Sequence, residues 1–349
     1  MAKRLTGVRL APYTTLGLGG TARAFVEAGT ADELVDAVRE ADAAGEPVLV
    51  LGGGSNIVVP DEGFDGLVVR VASRGVSVER DGERVLVTAE SGEEWEALVA
   101  RSVAEGWSGI ECLSGIPGLV GSTPIQNVGA YGQEVSQTIT RVRVFDRRTG
   151  EVRDLDAAEC GFGYRHSVFK ADPARYLVLA VTYALRPGPL SGPIGYRELA
   201  VRLGVELGER VPLADARAAV LELRAAKGMV LDPRDPDTRS AGSFFTNPVL
   251  SPEQAAELER RAAGFPRWDM PDGAVKVPAA WLIEQAGFFK GYARGSVRIS
   301  TKHTLALTNP DLAATTADLL ALAREVRDGV AEKFGIVLVN EPVLVGLTL

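Results

Sequence analysis

The sequence predicts an α+β protein of two or three domains. Its 349 residues are more than a single domain usually holds, at about 100–200 residues per domain. Short apolar runs alternate with capped helical patterns in the first third, and period-two strands broken by Gly-containing turns follow. The composition, 46% hydrophobic and 24% charged, is that of a chain with a packed core and excludes global disorder.

Taken in order, Phe25-Val26 and Val48-Leu49-Val50-Leu51 read as strands. Thr30-Ala31-Asp32-Glu33 is a capping box, opening a helix whose Leu34, Val35, Val38 and Ala41 share one face. Ile57-Val58-Val59 and the run Leu67 to Val71 add strands, making a small α+β or α/β unit. Val76 and Val78 alternate against Val85 and Val87 around Asp81-Gly82, which predicts a hairpin. Ser91-Gly92-Glu93-Glu94 reads as a capped start for a helix turning Trp95, Leu98, Val99 and Val103 inward. Residues 106–132 are too rich in glycine for one regular element. Val142 and Val144, then Leu177 to Leu185, resume strands and make the next region sheet-rich. After a Pro/Gly loop at 188–195, Tyr196 to Leu203 reads as a short helix, and Ala216, Val220 and Leu223 form another helical face. Ser251-Pro252-Glu253-Gln254 combines a cap, proline at N1 and an N3 amide. Asn309-Pro310 reads as the start of a helix running through Leu319, Leu322, Val326 and Val330, with Val337-Leu338-Val339 as a closing strand.

Charge and cysteine usage narrow the function. Thirty-eight Lys and Arg against 46 Asp and Glu leave a formal charge of −8, which argues against broad nucleic-acid binding but permits a local basic pocket. No apolar run approaches the ~18 residues of a membrane span, and the first residues lack the apolar core of a signal peptide. The expectation is a cytoplasmic protein. Cys112 and Cys160 have no CxxC context and read as small buried side chains. With two histidines, His166 and His303, no metal site is expected.

Five segments can carry chemistry. Leu51-Gly52-Gly53-Gly54-Ser55-Asn56 follows an apolar strand, and successive N–H groups there can cradle phosphate oxygens. It is neither GxGxxG nor a P-loop, and a tight connection explains it equally. The run Ser114 to Gly132 sets glycines among hydroxyls and amides, which suits a large planar ligand with a diphosphate. Tyr164-Arg165 joins an aromatic to a permanent cation that can hold a carboxylate through two parallel hydrogen bonds, or make a surface ion pair. Gly242-Ser243-Phe244-Phe245-Thr246-Asn247-Pro248 offers Ser243 outside any GxSxG elbow, so it is a donor or a buried hydroxyl rather than a hydrolase nucleophile. Glu341, between Asn340 and Pro342, is an ion-pair partner or a catalytic carboxylate.

In this order, Thr15 to Gly20, Gly52 to Asn56, Ile116 to Gly132, Tyr164-Arg165, Gly242 to Pro248 and Asn340-Glu341-Pro342 resemble the UDP-N-acetylenolpyruvoylglucosamine reductase family, flavoenzymes of bacterial peptidoglycan precursor synthesis. The resemblance implies a vanillyl-alcohol-oxidase-type, two-part FAD-binding fold with an added α+β substrate-binding domain. It implies FAD-binding domains at 1–75 and 76–215, a substrate-binding domain at 216–330, and a segment at 331–349 returning to the FAD-binding body with Glu341. FAD is bound noncovalently in that family, and the matching positions are Gly52, Gly53, Gly54, Ser55, Asn56, Gly118, Ser122, Asn127, Gly129 and Gly132. The implied reaction uses NADPH, through FAD, to reduce the enolpyruvyl ether of UDP-N-acetylglucosamine to UDP-N-acetylmuramate. Hydride arrives from flavin N5 and the proton from Ser243, while Arg165 and Glu341 stabilise developing charge. Tyr164, Tyr196, Lys227, Asn247 and Gln285 match substrate-contacting positions. The implied enzyme is a metal-free monomer with no nucleic-acid or membrane partner. The alternatives are another FAD-dependent oxidoreductase of the same fold and a catalytically silent flavin-binding protein.

Overall fold

Thr30 caps the first helix as its sequence predicts. In the computed structural model, which describes residues 3–270 and 273–349, the Thr30 hydroxyl accepts the Glu33 N–H at 3.1 Å. The helix Ala31–Ala43 then buries Leu34, Val35, Val38 and Ala41. That face packs with a four-stranded sheet ordered Leu5–Arg9, Thr21–Ala28, Phe64–Val71, Val48–Leu51, the last two parallel. The strand Leu5–Arg9 had no sequence signal, because four of its five residues, Gly7 among them, are exposed.

The predicted hairpin pairs Asp81 with Arg84 across Gly82 and belongs to a larger antiparallel sheet. Its main path runs Glu151–Asp156, Ile139–Asp146, Tyr176–Pro187, Arg84–Glu90, Val76–Asp81. Alternate side chains of these strands, among them Val85, Val87, Val142, Val144, Val181 and Tyr183, enclose a core with Trp95. The Trp95 and Tyr183 rings lie 5.6 Å apart, and each polar end is satisfied: Trp95 Nε1 donates to the Leu113 carbonyl, and the Tyr183 hydroxyl meets Thr123. The helix here is Trp95–Ala104, shorter at its start than its sequence suggested. Ser91 does not cap it. The Ser91 hydroxyl is buried against that of Ser73 at 3.3 Å, and Glu94 takes the N-cap position.

At the end of strand Ile139–Asp146, the fully buried Asp146 carboxylate accepts two hydrogen bonds from Arg175, at 2.8 and 3.1 Å, and one from the Arg148 N–H. The Arg175 hydrogen bonds hold its pKa below the usual carboxylate range. A depressed folded-state pKa stabilises the protein above the unfolded value of about 3.9, and the contribution is lost as pH falls through the folded value. We therefore expect Asp146→Asn to lower the urea midpoint at pH 7, with the gap from wild type closing below about pH 3.9. A gap that is constant with pH would assign the loss to packing instead.

The chain divides into two units. The first holds Ala22–Gly53 and Asp65–Ala226 with the chain up to Val8; the second holds Arg9–Thr21, Gly54–Phe64 and Lys227–Leu349. The expected boundary after residue 215 falls inside the helix Leu213–Ala226, which stays with the first unit, and residues 331–349 group with the second.

The second unit is built on the helix Thr316–Phe334, whose Leu319, Leu322, Val326, Val330 and Phe334 join Phe244, Phe245, Leu282 and Ile283 in one core. This helix starts later than Asn309-Pro310 suggested. A capping box between Thr315 and Asp318 opens it, and Asp61 accepts the N–H groups of Thr316 and Ala317 at 2.8 and 3.1 Å. Asn309 is instead a buried anchor, donating to the Leu16 carbonyl and accepting from the Ala314 N–H. The closing strand is also displaced. Val337 and Val339 are 64% and 63% exposed and outside any regular strand, whereas Val343–Leu344 pairs in parallel with Ile57–Val58. Ser251 caps Pro252–Arg261 as expected. A four-stranded antiparallel sheet ordered Ser240–Ser243, Ala306–Thr308, Val297–Ile299, Ala293–Arg294 carries Ser243 at its rim. Among the described residues no helix is long and apolar enough to cross a membrane, and no cluster of potential metal ligands occurs.

Candidate functional site

The glycine loop is shared between the units, the division falling between Gly53 and Gly54. In the first unit Gly53 lies against Gly118 so closely that a β-carbon on Gly53 would sit 2.8 Å from the Gly118 α-carbon. The Ser122 hydroxyl stands over Gly52. Two loops far apart in sequence thus meet backbone to backbone, with hydroxyls at the rim. Bare backbone of this kind can present N–H groups to phosphate oxygens. We expect Gly53→Ala to fold but to bind FAD about tenfold more weakly, the cost of a small overpacking displacement. Equilibrium dialysis would check it, and unaltered affinity would remove this contact from the site.

Further along the second loop the backbone adopts unusual conformations. Four non-glycine residues among those described have positive φ, and three of them are Asn127 (47°), Tyr131 (49°) and Arg165 (51°). Left-handed backbone is costly for such residues and is kept where the surroundings over-determine it. Gly163 and His166 close a tight turn through reciprocal hydrogen bonds of 3.1 and 3.2 Å, which puts Tyr164 and Arg165 at its tip. Arg165 Nη2 donates to the Gly129 carbonyl at 3.2 Å, and its guanidinium lies 5.5 Å from the Tyr164 ring centre. Gly132 turns against Gly195, and the adjacent rings of Tyr131 and Tyr196 meet edge-on at 5.5 Å. Burial pushes the Tyr131 phenol up to about 12, with Arg224 acting in the opposite direction, so Tyr131 is a neutral hydroxyl at working pH. Tyr131 lies in the Ser114 to Gly132 segment but was not among its expected site residues.

Ser243, Glu341 and Asn56 are brought together in the second unit. Glu341 N–H donates to the Phe244 carbonyl at 2.9 Å, and Thr246 N–H donates to Val339 at 3.0 Å, so residues 244–246 and 339–341 run side by side, with Ser243 next in the chain before them. Val343 N–H donates to the Asn56 carbonyl, and Asn56 Nδ2 reaches the Glu341 carbonyl at 3.5 Å. Beside them Gly54 has φ +65°, and a β-carbon on it would run into the Tyr13 carbonyl, so glycine is required there. Ser55 lies between these two positions and is half-buried.

Asn247 is partly engaged already: its Oδ1 accepts the Ala279 N–H at 2.9 Å and so caps the helix Ala279–Gln285, leaving the NH2 end for a further acceptor. Gln285 is exposed at the opposite end of that helix. At ~1.5 Å per residue the two are about 9 Å apart along the axis, so one contact point cannot engage both. Lys227 follows the helix Leu213–Ala226 on a turn where Gly228 packs on Asp237.

Residues 233–345 match the family described as UDP-N-acetylenolpyruvoylglucosamine reductase, C-terminal domain, and residues 22–156 match the FAD binding domain family. The UDP-N-acetylenolpyruvoylglucosamine reductase of Thermobifida fusca is 59% identical over 98% of this chain and 98% of its own. The chain belongs to the UDP-N-acetylenolpyruvoylglucosamine reductase family. The relative of that name from Streptomyces coelicolor is 57% identical over 97% of this chain and 90% of its own. The crystal structure of UDP-N-acetylenolpyruvylglucosamine reductase from Thermus caldophilus matches with a TM-score of 0.66 and 26% identity, covering 99% of this chain and 98% of that one. Within the reductase family, this chain combines an FAD-binding domain with an additional α+β domain, and Arg165 lies in the first of its units while Ser243 and Glu341 lie in the second.

Proposed function

We propose that the protein catalyses NADPH-dependent reduction of UDP-N-acetylglucosamine enolpyruvate to UDP-N-acetylmuramate, on a vanillyl-alcohol-oxidase-type FAD-binding body. The reading includes FAD-binding portions at 1–75 and 76–226, the boundary being moved to the end of the helix Leu213–Ala226, and a substrate-binding portion at 227–330 followed by the segment carrying Glu341. When bound, FAD supplies hydride-transfer chemistry between NADPH and the terminal vinyl carbon of the substrate.

The chain's own residues supply binding, charge stabilisation and a proton. Arg165 offers a planar guanidinium fork to the carboxylate, whose negative charge grows as the double bond is reduced. Ser243 Oγ–H gives its proton to the carbon bearing the ether oxygen. Serine is a weak acid, so the oxygen it leaves behind must be reprotonated promptly. Glu341 acts there through a hydrogen-bond network rather than as a bare charge facing the substrate carboxylate. Lys227 suits the diphosphate, the NH2 group of Asn247 and the amide of Gln285 suit sugar or nucleotide edges, and Tyr164 and Tyr196 offer aromatic faces with hydroxyl tips. A monomer working in the cytoplasm, where NADPH and nucleotide sugars are available, completes the reading.

What supports it above all is the pairing of residues 244–246 with 339–341, which brings Glu341 beside the residue that follows Ser243, within a chain of this family. The test is spectroscopic. Protein mixed with excess FAD and filtered should retain flavin absorbance, bleach with NADPH, and recover on anaerobic addition of the enolpyruvyl sugar nucleotide. Recovery with other acceptors but not with this one would sink the assignment.

A further inference from the structure

Asn127 stands among the positions matched to FAD, yet its side chain faces the protein. It is 1% exposed, and both hydrogens of its Nδ2 are committed: one to Glu134 Oε2 at 2.9 Å and one to the Gly163 carbonyl at 3.1 Å. Its Oδ1 accepts the Ser136 N–H at 3.1 Å. A carboxamide has two donor hydrogens, so none remains for a ligand.

The Gly163 carbonyl is the informative partner. It accepts the His166 N–H that closes the Tyr164-Arg165 turn, and Asn127 fills its second lone pair. Two residues beyond Asn127, the Gly129 carbonyl takes the Arg165 guanidinium. The turn is therefore held at its base by Asn127 and at its tip by Gly129, both from the same loop. Asn127 itself has φ 47°, a region that asparagine tolerates better than most residues, which lets its side chain enter this geometry.

We propose that Asn127 is a positioning residue for Arg165, acting on the reaction only through the Gly163–His166 turn and making no contact with the flavin. The proposal rests on the reading of Arg165 given above. Asn127→Gly keeps the backbone conformation and removes the latch; Asn127→Asp keeps shape and the acceptor for Ser136 but has no N–H to give. For both, FAD retention and reduction of bound FAD by NADPH should match wild type, while reoxidation by the enolpyruvyl substrate slows about tenfold, as for losing one buried hydrogen bond. In flavin-free protein, deuterium uptake by a peptide spanning 163–168 should rise. Combined with Arg165→Lys, the effects should be less than additive.

Weakened FAD retention with normal exchange at 163–168 would make Asn127 a cofactor contact and overturn the proposal. So would wild-type reoxidation in Asn127→Gly while Arg165→Lys is slow. If Arg165→Lys itself reoxidises at the wild-type rate, the reading of Arg165 fails and takes the proposal with it, an outcome distinguishable from the previous one.

Discussion

Ser243→Ala should leave reduction of bound FAD by NADPH unchanged and slow reoxidation by the enolpyruvyl substrate by about 10²–10⁴, the range for a positioned general acid. The structure makes the substitution clean. Ser243 ends the strand Ser240–Ser243 and pairs with Ala306 through backbone, while Phe244 and Phe245, both 1% exposed, anchor the segment in the core with rings 5.2 Å apart. Losing one half-buried oxygen from this rim opens no cavity in the core. Single-turnover absorbance separates the half-reactions, and solvent-deuterium sensitivity of the second should change in the variant. An unchanged reoxidation rate would remove Ser243 from proton delivery.

Arg165→Lys should cost about 10² in the same half-reaction, comparable to an ångström-scale misplacement of a reacting group. The backbone strain at φ 51° is the same for Lys as for Arg, so fold and flavin retention should survive. What disappears is the fork. One arm of the guanidinium donates to the Gly129 carbonyl, a bond that helps orient the planar group. A lysine ammonium has no such division of labour, and must either hold Gly129 or follow the substrate. If the rate is unaffected, charge alone suffices and geometry at residue 165 is irrelevant.

How much of this was legible in the sequence depended on how local the deciding interaction is. Thr30 and Ser251 cap their helices through residues three positions away, and the 81–84 hairpin closes across two residues, so all three are readable. Ser91 and Asn309 mislead because each spends its side chain on a distant partner: Ser73 for one, Leu16 for the other. The end of the chain was misplaced for the same reason, since Val343 is a strand residue only because Ile57 lies beside it. At the site, chemistry-bearing residue types were visible, and the resemblance sorted them into roles. What stayed invisible was the side-chain orientation that commits the amide of Asn127, a position matched to FAD, to Glu134, Ser136 and Gly163.

The second unit is threaded from three separate stretches, and the chain passes between the two units at 8/9, 21/22, 53/54, 64/65 and 226/227. Its strand Ile57–Val58 has to wait for Val343–Leu344, and Asp61 waits for the helix beginning at Thr316. On a ribosome adding roughly 5–20 residues per second, the 123 residues after Ala226 take on the order of ten seconds to emerge. During that interval the nascent first unit can close around its sheets, but apolar residues such as Leu16, Leu18 and Val58 have no core to enter. No single protease cut can release the second unit, and a fragment beginning at Lys227 would be born without its parallel strand. The order of synthesis therefore decides which unit can complete its core first.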